Sequence, residues 1–163
     1  MNHQPGLPEA TLLFLIRGDP PAEILLGYKK TGFGQGKWGG IGGKVESGEP
    51  VERAAAREME EETGVQVPLR ELQRFGRLVF LFPSRPAWSQ LVYVFLAHAW
   101  QGDPRETREI KPAWVRVAQI PYEGMWQDAN YWLPPLLAGK RVQACFTFSD
   151  DNESVERVEF GAL

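Results

Sequence analysis

Only one cysteine occurs in 163 residues, Cys145, so no internal disulfide can form and the thiol reads as a small buried hydrophobe. Long apolar runs are missing as well. The first such run, residues 11–16, is far shorter than a bilayer span and follows Glu9 in place of a basic leader segment. Nor is there an excess of basic charge: the formal net charge is −3, which argues against wholesale binding to a nucleic-acid polymer. No linker, repeat or low-complexity tract divides the chain. With 43% apolar residues it reads as one globular domain over residues 1–163, cytoplasmic and without a membrane partner. Asn152-Glu153-Ser154 has the form of a glycosylation acceptor, but without a secretory signal it reads as a polar turn.

What is present is a set of short periodic segments. Apolar or alternating runs at residues 10–17, 24–29, 77–82, 91–100, 113–117, 141–148 and 154–160 predict strands, bounded by Pro, Gly and Ser clusters. Asp150-Asp151-Asn152 predicts a hairpin connection between the last two. Two segments break the pattern. One is a helix over 50–63, and the other is a short or interrupted helix over 129–138, which contains Pro134 and Pro135. Mixed strands with two helices imply an α+β or α/β/α layered domain.

Residues 43–65, GKVESGEPVERAAAREMEEETGV, carry the densest chemistry. Pro50 suits a helix start and Gly64 its end, bracketing roughly four turns. Glu58, Glu61 and Glu62 then fall at i, i+3 and i+4 on one face, shared with Val51, Ala54 and Ala55, while Arg53, Arg57 and Glu60 point away. That face is the apolar, inward one. Like charges at this spacing repel by roughly a few tenths of a kcal/mol on an exposed helix, and partly buried they need protons or cations to persist. Clustered hard oxygen ligands suit Mg²⁺ or Mn²⁺, and Mg²⁺ commonly completes its shell with waters and substrate phosphates. The pattern therefore points to a polyphosphate substrate.

Just before this helix, seven glycines lie between Gly32 and Lys44, with Lys29, Lys30, Lys37 and Lys44 flanking or interrupting them. Such a segment can bring backbone N–H and ammonium groups close to phosphate oxygens. Two other phosphate motifs fail here. Gly34 to Gly39 matches G-x-G-x-x-G, but Gly40, Gly42 and Gly43 follow, so no helix opens as a dinucleotide fold requires. Gly43-Lys44 resembles the end of a phosphate loop, yet Trp38 stands where Gly is needed and Val45 replaces Ser or Thr.

Gly43, five residues, Glu49, seven residues, then Arg57-Glu58-Met59-x-Glu61-Glu62-x-Gly64-Val65 resembles the Nudix box at every defining position. The resemblance implies an α+β fold, a mixed curved sheet in an α/β/α sandwich, with the box as a loop-helix-loop. It also implies a Mg²⁺-dependent hydrolase of phosphoric anhydride bonds. Glu58, Glu61 and Glu62, with the carbonyl of Gly42 or Gly43, would hold the metal. Arg57, at i−4 from Glu61, would orient that carboxylate or neutralise part of the cluster, Lys44 would contact phosphate oxygens, and Glu109 would serve as a base or a further ligand.

LLGYKKTGFGQGKWGGIGGKVESGE and IPYEGMWQDANYWLPPLL further resemble the oxidised-purine nucleoside triphosphatases, the MutT homologues. By position, Phe80, Trp126 and Trp132 would wall a base pocket with Phe33 and Phe82 nearby. Asp128 would face the purine edge, and Thr11 and Lys29 would contribute near the nucleoside. Asp128 also reads as a cap for the helix at Ala129. Two positions depart from the family: Gly39 stands in place of Asn, and Ala129 in place of a second Asp. A lost hydrogen-bonding partner costs about 1–3 kcal/mol of discrimination. Asn130 is the nearby amide that could restore one.

The implied reaction is hydrolysis of a nucleoside triphosphate, such as 8-oxo-dGTP or 2-hydroxy-dATP, to the monophosphate and pyrophosphate. Alternatives are ordinary nucleotides, ADP-ribose, a nucleoside diphosphate sugar or a dinucleoside polyphosphate, or a nucleotide-binding regulator with vestigial catalysis. The intact carboxylate set argues against the regulator. Nothing in the sequence sets an oligomeric state.

Overall fold

A computed structural model describes residues 6–161. Eight strands form a mixed sheet: β1 (Glu9–Arg17), β2 (Glu23–Lys29), β3 (Trp38–Gly39), β4 (Gln73–Leu81), β5 (Gln90–Ala97), β6 (Ile110–Arg116), β7 (Val142–Phe148) and β8 (Val155–Phe160). The order is β3-β2-β1-β5-β4-β7-β8, with β6 pairing β2 on its other side. β1 runs parallel to β5, and β4 parallel to β7, while the remaining pairs are antiparallel. Two helices cover the sheet, α1 (Val51–Thr63) and α2 (Ala129–Leu137).

The continuous apolar runs follow from burial on both faces. In β1, Leu13 and Leu15 enter the core shared with Ala55 and Met59 of α1, whereas Phe14 and Ile16 enter the opposite core with Trp132, Leu133 and Leu136 of α2. β5 repeats this division, with Val92, Val94 and Leu96 on the α2 side and Phe95 and Ala97 on the α1 side. The period of two thus feeds two cores.

Several boundaries differ from the sequence reading. β5 stops at Ala97, and Trp100 instead stacks on Trp114 with ring centroids 5.6 Å apart. β6 begins at Ile110 because Pro112, opposite Gly27, is tolerated on a strand with one partner. Pro50 lies just outside α1 as its N-cap, and Gly64 closes it in the left-handed conformation at φ 83°. α2 continues through Pro134 and Pro135 because the carbonyls they leave unbonded belong to the exposed Asn130 and Tyr131. Among the described residues, no helix is long and apolar enough to cross a membrane.

β1 and β2 pair only at Ile16↔Ile24 and Arg17↔Glu23 and then diverge. The glycine segment fills the gap along β1. Leu13 and Ile41 exchange two backbone bonds of 2.7 and 3.1 Å, and Thr11 N–H donates to the Gly43 carbonyl at 2.9 Å. Only glycine fits at 42, since a Cβ there would stand 1.7 Å from the Thr11 carbonyl oxygen.

Candidate active site

Where β1 and β2 part, a cavity of about 560 Å³ opens, a size suited to a small molecule. One end is acidic. Glu62 is 3% exposed, and the Glu58 side chain 15% exposed. The Glu58 carboxylate packs against the bare α-carbon of Gly43, where a Cβ would meet it at 2.6 Å. Glu109 joins this end from the loop before β6, and Glu58, Glu62 and Glu109 all line the cavity. That loop is tied to α1: Thr107 Oγ1 donates to the Glu62 carbonyl at 2.8 Å, and Arg105 N–H to that of Thr63 at 3.0 Å.

Glu61 departs from the expected convergence. Its side chain is 57% exposed and turned to Arg57 at 3.3 Å, so among the described residues no closed set of three ligands is preformed. Arg57 departs too. Instead of pointing away, it is half-buried at the centre of the box, donating to Glu49 at 2.8 and 3.0 Å, to Glu58 at 2.9 Å and to the Lys44 carbonyl at 3.1 Å. The reason is that its strongest partner lies off the helix. Arg57 holds the Glu49 carboxyl down to about 2, and Glu49 in turn raises the Arg57 guanidinium. Glu49 is thus a box residue to which the sequence alone attached no role, although its fixed spacing from Arg57 was the available signal.

Burial pushes Glu62 up to about 8, against the pull of Lys29 and reinforced by Glu58 and Glu109. Glu58 is raised as well, by burial and by Glu61, with Arg57 opposing. Glu62 Oε2 is buried with no hydrogen-bond partner. An orphaned carboxylate oxygen among hard oxygen donors fits a divalent cation.

The lysines divide. Lys29, Lys37 and Lys44 line the cavity, and backbone bonds of 2.9 and 3.0 Å close the loop between Lys29 and Lys37. Lys30 is drawn aside to Glu106 at 2.6 Å and to the Thr107 carbonyl. Lys37 pairs with Glu153 at 2.8 Å and lies 4.8 Å over the Trp126 ring.

The far end is aromatic. Phe33, Phe80, Phe82, Trp126 and Trp132 all line it, as do Trp88 and Phe148, which sequence reasoning missed because nothing local separates a wall residue from a core residue. Phe33 stacks on Trp126 with centroids 5.3 Å apart, and Phe82 on Phe148 at 4.4 Å. Asp128 does not cap α2 with its side chain; its Oδ2 accepts the Trp132 indole N–H at 2.7 Å. Thr11 lines the cavity with its hydroxyl buried and unpartnered. Gly39 and Ala129 are also in the wall, and a Cβ at Gly39 would meet nothing within 4 Å. Asn130 is exposed and its amide donates to the Gln127 carbonyl at 3.0 Å, so it does not replace the missing contact.

Buried carboxylates at one end, aromatic faces at the other and lysines along the edge define a hydrolase-type site for a small, multiply charged molecule bearing a flat ring. The NUDIX domain model matches residues 6–136, and the chain belongs to the Nudix hydrolase family. It is 40% identical over 145 residues to the oxidized purine nucleoside triphosphate hydrolase of Danio rerio, covering 89% of this chain and 91% of that one. It is 41% identical over 142 residues to the Mus musculus protein of the same name, covering 87% of each. Among solved structures, the Mutator MutT protein from Bacillus halodurans shares the fold, with a TM-score of 0.79 at 20% identity, over 94% of this chain and 97% of that one.

Proposed function

We propose that this chain, acting as one Nudix domain, hydrolyses oxidised purine nucleoside triphosphates to the monophosphate and pyrophosphate. The observation that carries the reading is the opposition, within one cavity, of buried Glu58 and Glu62 to an aromatic end holding Trp126, Trp132 and Asp128. The names of relatives covering nearly nine-tenths of the chain support the same substrate class. Removing such triphosphates would keep damaged bases from a polymerase, and we place that work in the cytoplasm.

Glu58, Glu61, Glu62 and Glu109, with the carbonyl of Gly42 or Gly43, would hold Mg²⁺, with Mn²⁺ as a substitute. The bound cation would neutralise phosphate charge and lower the pKa of water. Arg57 keeps Glu58 and the box loop in place through Glu49 and the Lys44 carbonyl. Lys44 offers its ammonium group to phosphate oxygens and Lys29 contributes near the nucleoside, while the Lys37 ammonium is held by Glu153 over the Trp126 ring. The water oxygen forms a new bond to phosphorus, the anhydride P–O bond breaks with its electrons leaving on pyrophosphate, and a carboxylate of the set takes the proton. The aromatic walls stack on the base, which any base satisfies, so selection falls to polar groups such as Asp128 and Thr11.

A second reading, hydrolysis of ordinary nucleotides or of ADP-ribose, is favoured by the open space at Gly39 and the missing carboxyl at Ala129. The two are separated by measuring product release with Mg²⁺ from 8-oxo-dGTP, 2-hydroxy-dATP, dGTP, dATP, ADP-ribose and a diadenosine polyphosphate. The expected result is the highest kcat/KM on an oxidised purine triphosphate, yielding pyrophosphate. Higher kcat/KM on ADP-ribose or an unmodified nucleotide would select the second reading, and no turnover of any member would sink both.

A further inference from the structure

Gln90 opens β5 and lines the same cavity, half-buried. Strand alternation sets it on the α2 side with Val92, Val94 and Leu96, and in register it stands opposite Phe80, another wall residue. The segment leading into it is held by Ser89, whose Oγ accepts the Phe82 N–H at 3.0 Å. Gln90 is therefore carried on rigid backbone at the aromatic end. Among the described residues its carboxamide makes no side-chain hydrogen bond. The carboxamide carries two N–H donors and a carbonyl acceptor, and none of its atoms is among the buried unpartnered ones, so they are open to water and to a ligand. The other polar groups stand elsewhere on the wall: Thr11 on β1, its hydroxyl buried and unpartnered, and Asp128, whose Oδ2 accepts from Trp132, while Gly39 and Ala129 offer no side-chain hydrogen bond.

We infer that Gln90 is a specificity-determining residue, whose carboxamide hydrogen-bonds the edge of the purine from the sheet side of the cavity. This rests on the function proposed above. A carboxamide presents a donor and an acceptor side by side, which matches a purine edge carrying adjacent carbonyl and N–H groups better than one carrying acceptors alone. Gln90 thereby supplies polar selection in a pocket that lacks side-chain hydrogen-bonding groups at Gly39 and Ala129.

The test compares wild type with Gln90→Leu and Gln90→Met, measuring kcat/KM for 8-oxo-dGTP, dGTP, 2-hydroxy-dATP and dATP. Affinity for the monophosphates 8-oxo-dGMP and dGMP is measured by calorimetry without metal, and thermal melting verifies folding of both variants. The expected outcome is a loss of about tenfold to a hundredfold in kcat/KM on the best substrate, residing mainly in KM, with a change of less than about threefold on the poorest. Monophosphate affinities should converge in parallel. Selectivity ratios unchanged from wild type in a folded variant, whether activity is kept or lost uniformly, would overturn the role of Gln90 alone. Absence of triphosphate turnover by wild type would overturn the functional reading, and this inference with it.

Discussion

Asp128 is 4% exposed, and burial pushes its carboxyl up to about 6, with the Trp132 indole N–H opposing. A carboxyl raised in the folded state favours folding in its neutral form. That contribution is complete below the unfolded value near 3.8 and is lost as pH rises through about 6. Asp128→Asn should therefore gain stability relative to wild type on going from pH 4.5 to pH 8, by on the order of 2 kcal/mol in urea unfolding. An identical stability difference at both pH values would show that Asp128 is ionised throughout. At this scale the sequence reading was uneven. Asp128 and Trp126 were placed through their matching segment, and both stand in the cavity wall. Asn130 was misdirected because a helix position two residues on turns its side chain outward. Gln90, a lone amide at a strand start, carried no signal, since only the register with Phe80 sets it in the pocket.

At the scale of the element, α1 was legible almost to the residue, because its caps and its apolar face are local properties of Pro50, Gly64, Ala54 and Ala55. Its charge pairing was not. Glu49 sits on the preceding loop, and only the folded loop shows that Arg57 binds it rather than facing solvent. The raised Glu62 carboxyl has a direct consequence for this helix. Millimolar Mg²⁺ should raise the melting temperature of wild type by several degrees, on the order of 1 kcal/mol of linkage. Glu62→Gln should lose most of that response and hydrolyse substrate about a hundredfold more slowly or worse. A variant with wild-type turnover and an unchanged Mg²⁺ response would remove Glu62 from the metal set.

Two large cores lie on opposite faces of one sheet, with a smaller apolar cluster of Val79, Leu91 and Cys145 beside them, and the cavity occupies the breach between β1 and β2. Leu136 belongs to the α2-side core at 1% exposure but does not line the cavity. Leu136→Ala should cost about 2–5 kcal/mol in chemical unfolding while leaving kcat/KM at low temperature within a few-fold of wild type. A large catalytic loss in the folded variant would show that this core and the site are coupled. The hairpin between β7 and β8 reaches the same region, with Asp150 accepting from Ser84 at 2.8 Å and Glu153 accepting from Lys37, so segments distant in sequence brace the mouth together. The sequence by itself determined the helix that carries the carboxylates, the glycine segment before it and the alternation of the strands, because periodicity, capping and close backbone approach are set by neighbours in the chain. The tertiary structure decided that β1 and β2 splay, that Glu61 turns out while Glu62 is buried, and which aromatics face a cavity rather than a core. Those outcomes depend on contacts between segments far apart in the chain, and each residue's burial, and with it its charge and hydrogen-bonding state, exists only once the segments meet.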